Sequence, residues 1–440
     1  MNIETWNPYT GEKIASHPVD SSRVVEEKIK SVRSSQREWS ISLDERIHYL
    51  KNILLKNLRE REREIATQMS LEMGKPLAQS ISEVRKCQLL VEYAISKSHD
   101  FLNREEVQTE GKRSYISFEP LGTVLLIMPW NFPLWQVMRA AVPAMAAGNG
   151  VVLKHASIVT GFAKMIEEIF SSPVFRTLVL PGSAVLDYMR FVDGVSFTGS
   201  SEAGAKIAAA AASNIKKTVL ELGGSDPFIV LKSAEVRKAA KSSVFARLQN
   251  NGQSCIASKR FIVHSDVYEE FASVMKEEYA SVITGDPMDE RTFLGPLSSR
   301  EQAATVQRQI KELSAMGRVE TLGEGRGNII PPTVVETDAD YPEEVFGPVA
   351  VLRKVRSNEE AVRIANETPF GLGACIWGDV DEAEALVPQI EAGMVFINRV
   401  VASDPRLPFG GIKKSGYGRE LSRYGMLEFT NIKTVWVENR

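Results

Sequence analysis

Apolar residues recur near helical spacing at Leu43, Ile47, Leu50, Leu54, Leu58, Ile65 and Met69, and the run Arg59-Glu60-Arg61-Glu62-Arg63-Glu64 fills the other faces. That stripe predicts one long amphipathic helix with the charge run as its solvated face. Gly74 and Pro76 end it, and a second helix is predicted to about Phe101. The period then changes. Residues 114–119 alternate like a strand, and 123–128 form a short apolar run of buried-strand type. Helical text at 134–147, 159–170 and 202–212 is interleaved with strand text at 151–154, 177–180, 195–198, 219–222 and 228–231. A second alternation begins near Ala234. It predicts helices over 235–249, 267–282, 300–316, 358–367 and 381–389, with strands at 260–263, 349–355, 374–377 and 395–398. Alternating strands and helices imply mostly parallel sheets covered on both faces, with ligands beyond the carboxyl ends of the strands.

Composition narrows the classes. The 440 residues suggest two or three domains, and 43% hydrophobic with 25% charged residues is ordinary for a soluble globular chain. A net charge of −3 gives no electrostatic support for nucleic acid or an anionic membrane. The N-terminal segment lacks the basic start and apolar core of a secretory signal, and no apolar run is long enough to span a bilayer. The three cysteines, Cys87, Cys255 and Cys375, are too few for a disulfide framework, which fits a reducing, cytoplasmic setting. The five histidines are scattered without HExxH or CxxC, so no metal site is expected, and neither a Walker A pattern nor GxGxxG occurs.

Five places carry candidate chemistry, each with a plainer reading beside it. Cys255, in Asn250-Asn251-Gly252-Gln253-Ser254-Cys255, follows a helix and a glycine turn; it is a nucleophile or an ordinary buried thiol. Glu221 ends an apolar strand before Gly223-Gly224; it is a strand-end charge reaching water or a partly buried general base. Asn131, between Pro129 and Pro133, is a helix cap or a fixed amide that donates to an oxyanion. Gly199 and Ser200 open an Ala-rich helix whose first N–H groups suit a phosphate, though any strand-to-helix unit needs such a turn. Lys154 ends its strand on the ligand side of the sheet, placed for a ribose or phosphate or simply for solvent.

Together these segments resemble one family. MPWNFPLWQ (128–136), VVLKHAS (151–157), SFTGS (196–200), LELGGSDP (220–227), NNGQSC (250–255), EEVFGPV (343–349) and PFGGIKKSGYGRE (408–420) stand in the order found in the aldehyde dehydrogenase superfamily. Within it, VLKHAS and SDPRLPFGGIKKSG are most similar to short-form succinate-semialdehyde dehydrogenases, with archaeal-type glyceraldehyde dehydrogenases close by. The resemblance implies an α/β fold with two doubly wound parallel-sheet domains and a small β oligomerisation arm. It implies a cofactor domain over 1–108 and 121–230, a catalytic domain over 231–423, and an arm from 109–120 and 424–440 in a homo-oligomer, a dimer or tetramer.

It also implies roles. Cys255 matches the nucleophile, Glu221 the general base and Asn131 the oxyanion donor. Lys154 matches the residue for the adenosine ribose; Gly199 and Ser200 match the pyrophosphate turn. Leu222 is placed with the cofactor contacts. Glu344 and Phe346 match the residues at the nicotinamide ribose and ring, and Trp130 lines the cofactor–substrate junction beside Phe132. Many NAD-preferring members carry Glu where this chain has Ser157. A small neutral residue beside Lys154 and His155 admits the 2′-phosphate, so NADP is the expected cofactor, with NAD possible. The implied reaction oxidises a small aldehyde to its acid through a cysteine thioester. Trp135, Arg139, Ser403 and Arg399 are candidates to hold a distal carboxylate. The segment 398–403 lacks the Lys expected of the semialdehyde-specific form, so succinate semialdehyde and D-glyceraldehyde both stand as substrates. A CoA- or phosphate-transferring member, a non-enzymatic protein that keeps the fold, and a Rossmann-type alcohol dehydrogenase are the alternatives. Glu221 speaks against the first, the intact Cys255, Glu221 and Asn131 against the second, and the missing GxGxxG against the third.

Overall fold

The computed structural model describes residues 1–438. Two sheets organise it. The first has six strands in the order Gly416–Tyr417, Lys217–Glu221, Gly194–Thr198, Thr123–Met128, Gly150–His155, Phe175–Thr177. All neighbours are parallel except Gly416–Tyr417, which runs antiparallel to Lys217–Glu221. The central strands are apolar at nearly every position because helices cover both faces. Their side chains divide by alternation. Val124, Leu126, Met128, Val151 and Leu153 join one core cluster, while Leu125, Ile127 and Val152 join the other.

The chain enters this sheet at Thr123–Met128, steps outward through Gly150–His155 and Phe175–Thr177, then returns to the other side with Gly194–Thr198. The order reverses between Thr123–Met128 and Gly194–Thr198, and a crevice opens there at the carboxyl ends. Four of the resemblance motifs end on that edge.

The second sheet has seven strands in the order Arg318–Thr321, Thr333–Glu336, Val349–Val355, Ser258–His264, Asp226–Val230, Gly373–Trp377, Met394–Ile397. Only the Arg318–Thr321 pairing is antiparallel. Thr430–Val437, Arg113–Pro120 and Glu105–Val107 make a separate antiparallel sheet of three strands.

Several boundaries differ from the sequence reading. Asp226–Val230 falls on the cofactor side of a boundary at 230, yet it pairs within the second sheet, so the crossing lies in residues 222–225. Gly416–Tyr417 falls inside 231–423 but completes the first sheet. The arm gains Glu105–Val107 from before residue 109. The single helix predicted over 43–69 is broken. It runs as Leu43–Tyr49, a π turn Leu50–Leu54, Leu55–Glu60 and Glu62–Met73, with a kink at Arg61 (φ −105°, ψ 13°). The π turn inserts a residue that lets adjacent Leu54 and Leu55 both reach the core. The strand predicted at 177–180 is Phe175–Thr177. The N-terminal hairpin Asn2–Trp6 with Lys13–Pro18 was not anticipated; its turn is set by Asn7, whose side-chain oxygen accepts from Tyr9 and Thr10 N–H.

Candidate active site

The loop that carries Cys255 is held by buried amides. Asn250 and Asn251 adopt left-handed backbone (φ 55° and 60°), a conformation that asparagine tolerates. Asn250 Nδ2 donates to the Asn131 carbonyl at 2.6 Å and to the Gln253 carbonyl at 3.0 Å. Asn251 Nδ2 donates to the Gly74 and Pro296 carbonyls at 2.9 and 2.8 Å. Buried Arg247 donates to the carbonyls of Val345, Gly347, Val349 and Gly252. This network fixes the turn that presents Cys255.

Cys255 is half-buried, whereas Cys87 and Cys375 are fully buried. Burial pushes the Cys255 thiol up to about 12; Arg139 and Lys259 pull it down, and Glu344 and Glu221 push it further up. Asn131 faces the same loop. Its Nδ2 donates to the Gln253 carbonyl at 3.0 Å, and its Oδ1 accepts from Gln136 Nε2 at 3.0 Å, which fixes the amide orientation. One N–H of Nδ2 thus stays without an acceptor among the described residues.

Glu221 is 2% exposed, and neither carboxylate oxygen has a hydrogen-bond partner among the described residues. Its Oε1 lies 2.8 Å from where a Cβ on Gly410 would stand, so only glycine fits there. Burial raises its pKa well above the ordinary carboxylate range, and Glu420 raises it further, while Arg139 and Arg419 oppose the rise. A carboxylate held in this way is a stronger base than an exposed one.

The crevice at the carboxyl edge holds the cofactor candidates. Lys154 is 6% exposed and makes no hydrogen bond or ion pair among the described residues; burial alone lowers it to about 8. An ammonium so buried without an acceptor fits an anionic or hydroxylated ligand. Its neighbour His155 is neutral. The Ala156 N–H donates to Nδ1 at 2.9 Å, Nε2 lies 2.9 Å from the Pro133 carbonyl, and burial lowers it to about 4. Ser157 is half-buried at the start of a short 3₁₀ turn, Ser157–Val159. The Gly199 N–H donates to the Glu221 carbonyl at 3.0 Å, and exposed Ser200 caps the Ser201–Ser213 helix through the Ala203 N–H. Leu222 packs over Gly204 of that helix.

Trp130 and Phe346 meet edge to face, ring centroids 5.8 Å apart, which joins the two sheets at the crevice. Glu344 Oε2 lies 2.5 Å from where a Cβ on Gly223 would stand, and Glu344 Oε1 is 3.0 Å from Lys259 Nζ. Lys259 also donates to the carbonyls of Ser254 and Cys255, at 2.9 and 2.6 Å. One ammonium therefore links the Cys255 backbone to Glu344.

A cavity of about 220 Å³ leads to Cys255, with Phe132, Trp135, Arg139, Lys86 and Ser403 in its lining. It is smaller than the roughly 300–1,000 Å³ usual for drug-sized ligands. Arg139 is buried, paired with Glu420 and stacked over the Phe409 ring. Arg399 is exposed and outside this lining. Lys86 and Glu420 have no role in the sequence reading. Lys86 Nζ donates to Ser403 Oγ at 2.6 Å and lies 4.4 Å over the Trp135 ring. A signal existed for Lys86. It sits one turn from Glu83 and Leu90 on the buried side of its helix, where a charge is out of place.

Comparison with known proteins accords with this geometry. The model of the aldehyde dehydrogenase family matches residues 1–435. A probable NADP(+) succinate-semialdehyde dehydrogenase of Synechocystis is 43% identical, covering 99% of this chain and 100% of its own. The NADP(+) succinate-semialdehyde dehydrogenase of Mycobacterium avium is also 43% identical, covering 99% and 97%. The crystal structure of succinic semialdehyde dehydrogenase from Streptococcus pyogenes, in complex with NADP+, superposes with a TM-score of 0.95 at 36% identity, covering 99% and 100%. By the family match over nearly its whole length and by these relatives, the chain belongs to the aldehyde dehydrogenase family.

Proposed function

We propose that the enzyme oxidises succinate semialdehyde to succinate, with NADP as the preferred cofactor. The observation that supports the substrate most directly is the charge of the cavity reaching Cys255. Lys86 lines it with no carboxylate within ion-pair distance among the described residues, Arg139 beside it is paired with Glu420, and the acidic group among its lining residues, Glu83, is committed to Lys75. For the cofactor, the support is the unpartnered, buried Lys154 beside small, neutral Ser157, together with the NADP(+) relatives.

NADP, when bound, supplies the hydride acceptor. Lys154, Ser157 and the first N–H groups of the Ser201–Ser213 helix would hold its adenosine and phosphate end, with Leu222 and Gly199 shaping the crevice floor. Glu344, Phe346 and Trp130 would hold the nicotinamide end. The Cys255 sulfur attacks the aldehyde carbon as its proton passes to Glu221, directly or through one water. The carbonyl oxygen becomes an alkoxide on that carbon. Asn131 Nδ2–H and the Cys255 backbone N–H stabilise it. Loss of hydride leaves the acyl group on sulfur as a thioester. Once that first proton has passed from Glu221 to solvent, the carboxylate takes a proton from a water that adds to the thioester carbon, and the Cys255 thiolate departs as the acid forms. Burial suits Glu221 to both proton transfers because its raised pKa makes it a stronger base than an exposed carboxylate.

The test follows NADPH by absorbance with succinate semialdehyde and with D-glyceraldehyde, each with NADP and NAD, with Cys255→Ala as control. Succinate semialdehyde with NADP is expected to give the highest kcat/KM, and activity is expected to vanish in the variant. Preference for D-glyceraldehyde or for NAD would overturn the corresponding half of the proposal. Turnover that depends on added CoA or phosphate would replace hydrolysis by acyl transfer.

A further inference from the structure

We propose that Lys86, with Ser403, is the anchor for the distal carboxylate of the substrate, and that Arg139 serves instead to hold the Glu420 side of the site. This rests on the semialdehyde reading above. Lys86 lies on the Leu77–Leu102 helix, 317 residues before Ser403, and the fold brings them to 2.6 Å across the cavity that reaches Cys255.

The two cations of the cavity are not equivalent. Arg139 has its charge answered by buried Glu420 and its guanidinium face laid on Phe409. Its pairing also faces the carboxylate cluster around Glu221, since both carboxyls feel it. Lys86 has no carboxylate within ion-pair distance among the described residues. Glu83, one turn before it, spends one oxygen on Lys75 and the other on the Leu134 and Trp135 N–H groups. Asp404, the other acid that it feels, is paired with Arg406. Lys86 makes one hydrogen bond with its three N–H donors, to a hydroxyl that itself can donate. The Trp135 face below it attracts the ammonium and covers it on one side without neutralising its charge. A carboxylate entering this cavity meets one uncompensated cation and one hydroxyl side by side.

Burial lowers Lys86 to about 8, with Arg139 adding to the fall and Glu83, Asp404 and Cys87 opposing it. The groups packed around it thus leave it cationic at neutral pH and uncharged well above 8. An anionic substrate would raise it again on binding.

The experiment compares succinate semialdehyde with butanal, a neutral aldehyde of equal chain length, in the wild type, Lys86→Met, Lys86→Arg and Arg139→Met. The readout is the ratio of kcat/KM for the two aldehydes. In the wild type the ratio strongly favours the semialdehyde; if it does not, the substrate reading fails before the anchor is tested. In Lys86→Met the ratio is expected to fall about 100-fold, mostly through KM, the size usual for one lost charge-assisted contact. Lys86→Arg is expected to recover at least part of it. A ratio that survives Lys86→Met overturns the proposal, as does a ratio that collapses only in Arg139→Met. A loss shared equally by both aldehydes would mark Lys86 as structural and overturn it too.

Discussion

Glu83 belongs to one helix and completes another, so its removal can be calculated in parts. One oxygen accepts from the Leu134 and Trp135 N–H groups at 2.9 and 2.8 Å, at the start of the Trp135–Ala146 helix. The other bonds Lys75, and both side chains are nearly inaccessible. In Glu83→Gln the helix start keeps an acceptor, but Lys75 becomes a buried ammonium without a counter-ion. Burial already lowers Lys75, with Glu83 as the main opposing influence. Without that carboxylate, Lys75 folds in its neutral form. Deprotonating a lysine of ordinary pKa, about 10.4, at pH 7.5 costs about 1.4 kcal/mol for each of roughly three pH units, so the loss is bounded near 4 kcal/mol. The sign of the pH effect follows. The unfolded variant binds the Lys75 proton and the folded one does not, so stability rises with pH, and the penalty shrinks to about 2 kcal/mol at pH 9. Glu83→Ala adds about 1 kcal/mol for the lost cap. Against total stabilities of about 5–15 kcal/mol these are large fractions. Urea unfolding followed by tryptophan fluorescence at pH 7.5 and 9 measures both. A Glu83→Gln loss below about 1 kcal/mol at pH 7.5, or one that does not shrink at pH 9, refutes the reasoning.

Two further outcomes are expected. Ser157→Glu places a carboxylate close to Lys154, the proposed ribose-end cation, and should lower the NADP-to-NAD ratio of kcat/KM by about 100-fold, from a few kcal/mol of repulsion at short range; an unchanged ratio in steady-state assays would place the 2′-phosphate elsewhere. With the thiol pushed up to about 12, iodoacetamide should alkylate Cys255 in the cofactor-free enzyme at a rate rising about tenfold per pH unit from 7 to 9, with buried Cys87 and Cys375 unreactive. A plateau within that range, read by mass spectrometry, would show a thiol activated before the cofactor binds.

What the sequence made legible was local. The strand-end positions of Asn131, Lys154, Gly199 and Glu221 follow from apolar runs closed by turns, and the turn before Cys255 follows from its asparagines and glycine. The family motifs then brought these together. What stayed hidden depends on contacts between distant segments. Glu420 stands in a quoted motif, but its pairing with Arg139 needs the fold, and so does the meeting of Lys86 with Ser403. The domain boundary slipped for a similar reason. Phe228, Ile229 and Val230 suit either sheet, and only pairing with Ser258–His264 and Gly373–Trp377 decides. The broken helix shows the limit of a spacing rule, because one inserted residue shifts the buried stripe without interrupting the apolar pattern.

The crossing between the sheets has a mechanical consequence. Glu221 is the last residue of a first-sheet strand, and Asp226 is the first of a second-sheet strand. Ser415 staples the passage, donating to the Gly223 carbonyl at 2.7 Å and accepting from the Gly371 N–H at 3.0 Å. If the two sheets rotate about this short passage, atoms are displaced in proportion to their distance from it. Glu221, the proposed general base, sits at the fulcrum. Opening the crevice to exchange nucleotides would carry Lys154 and Glu344 apart while leaving Glu221 almost where it was.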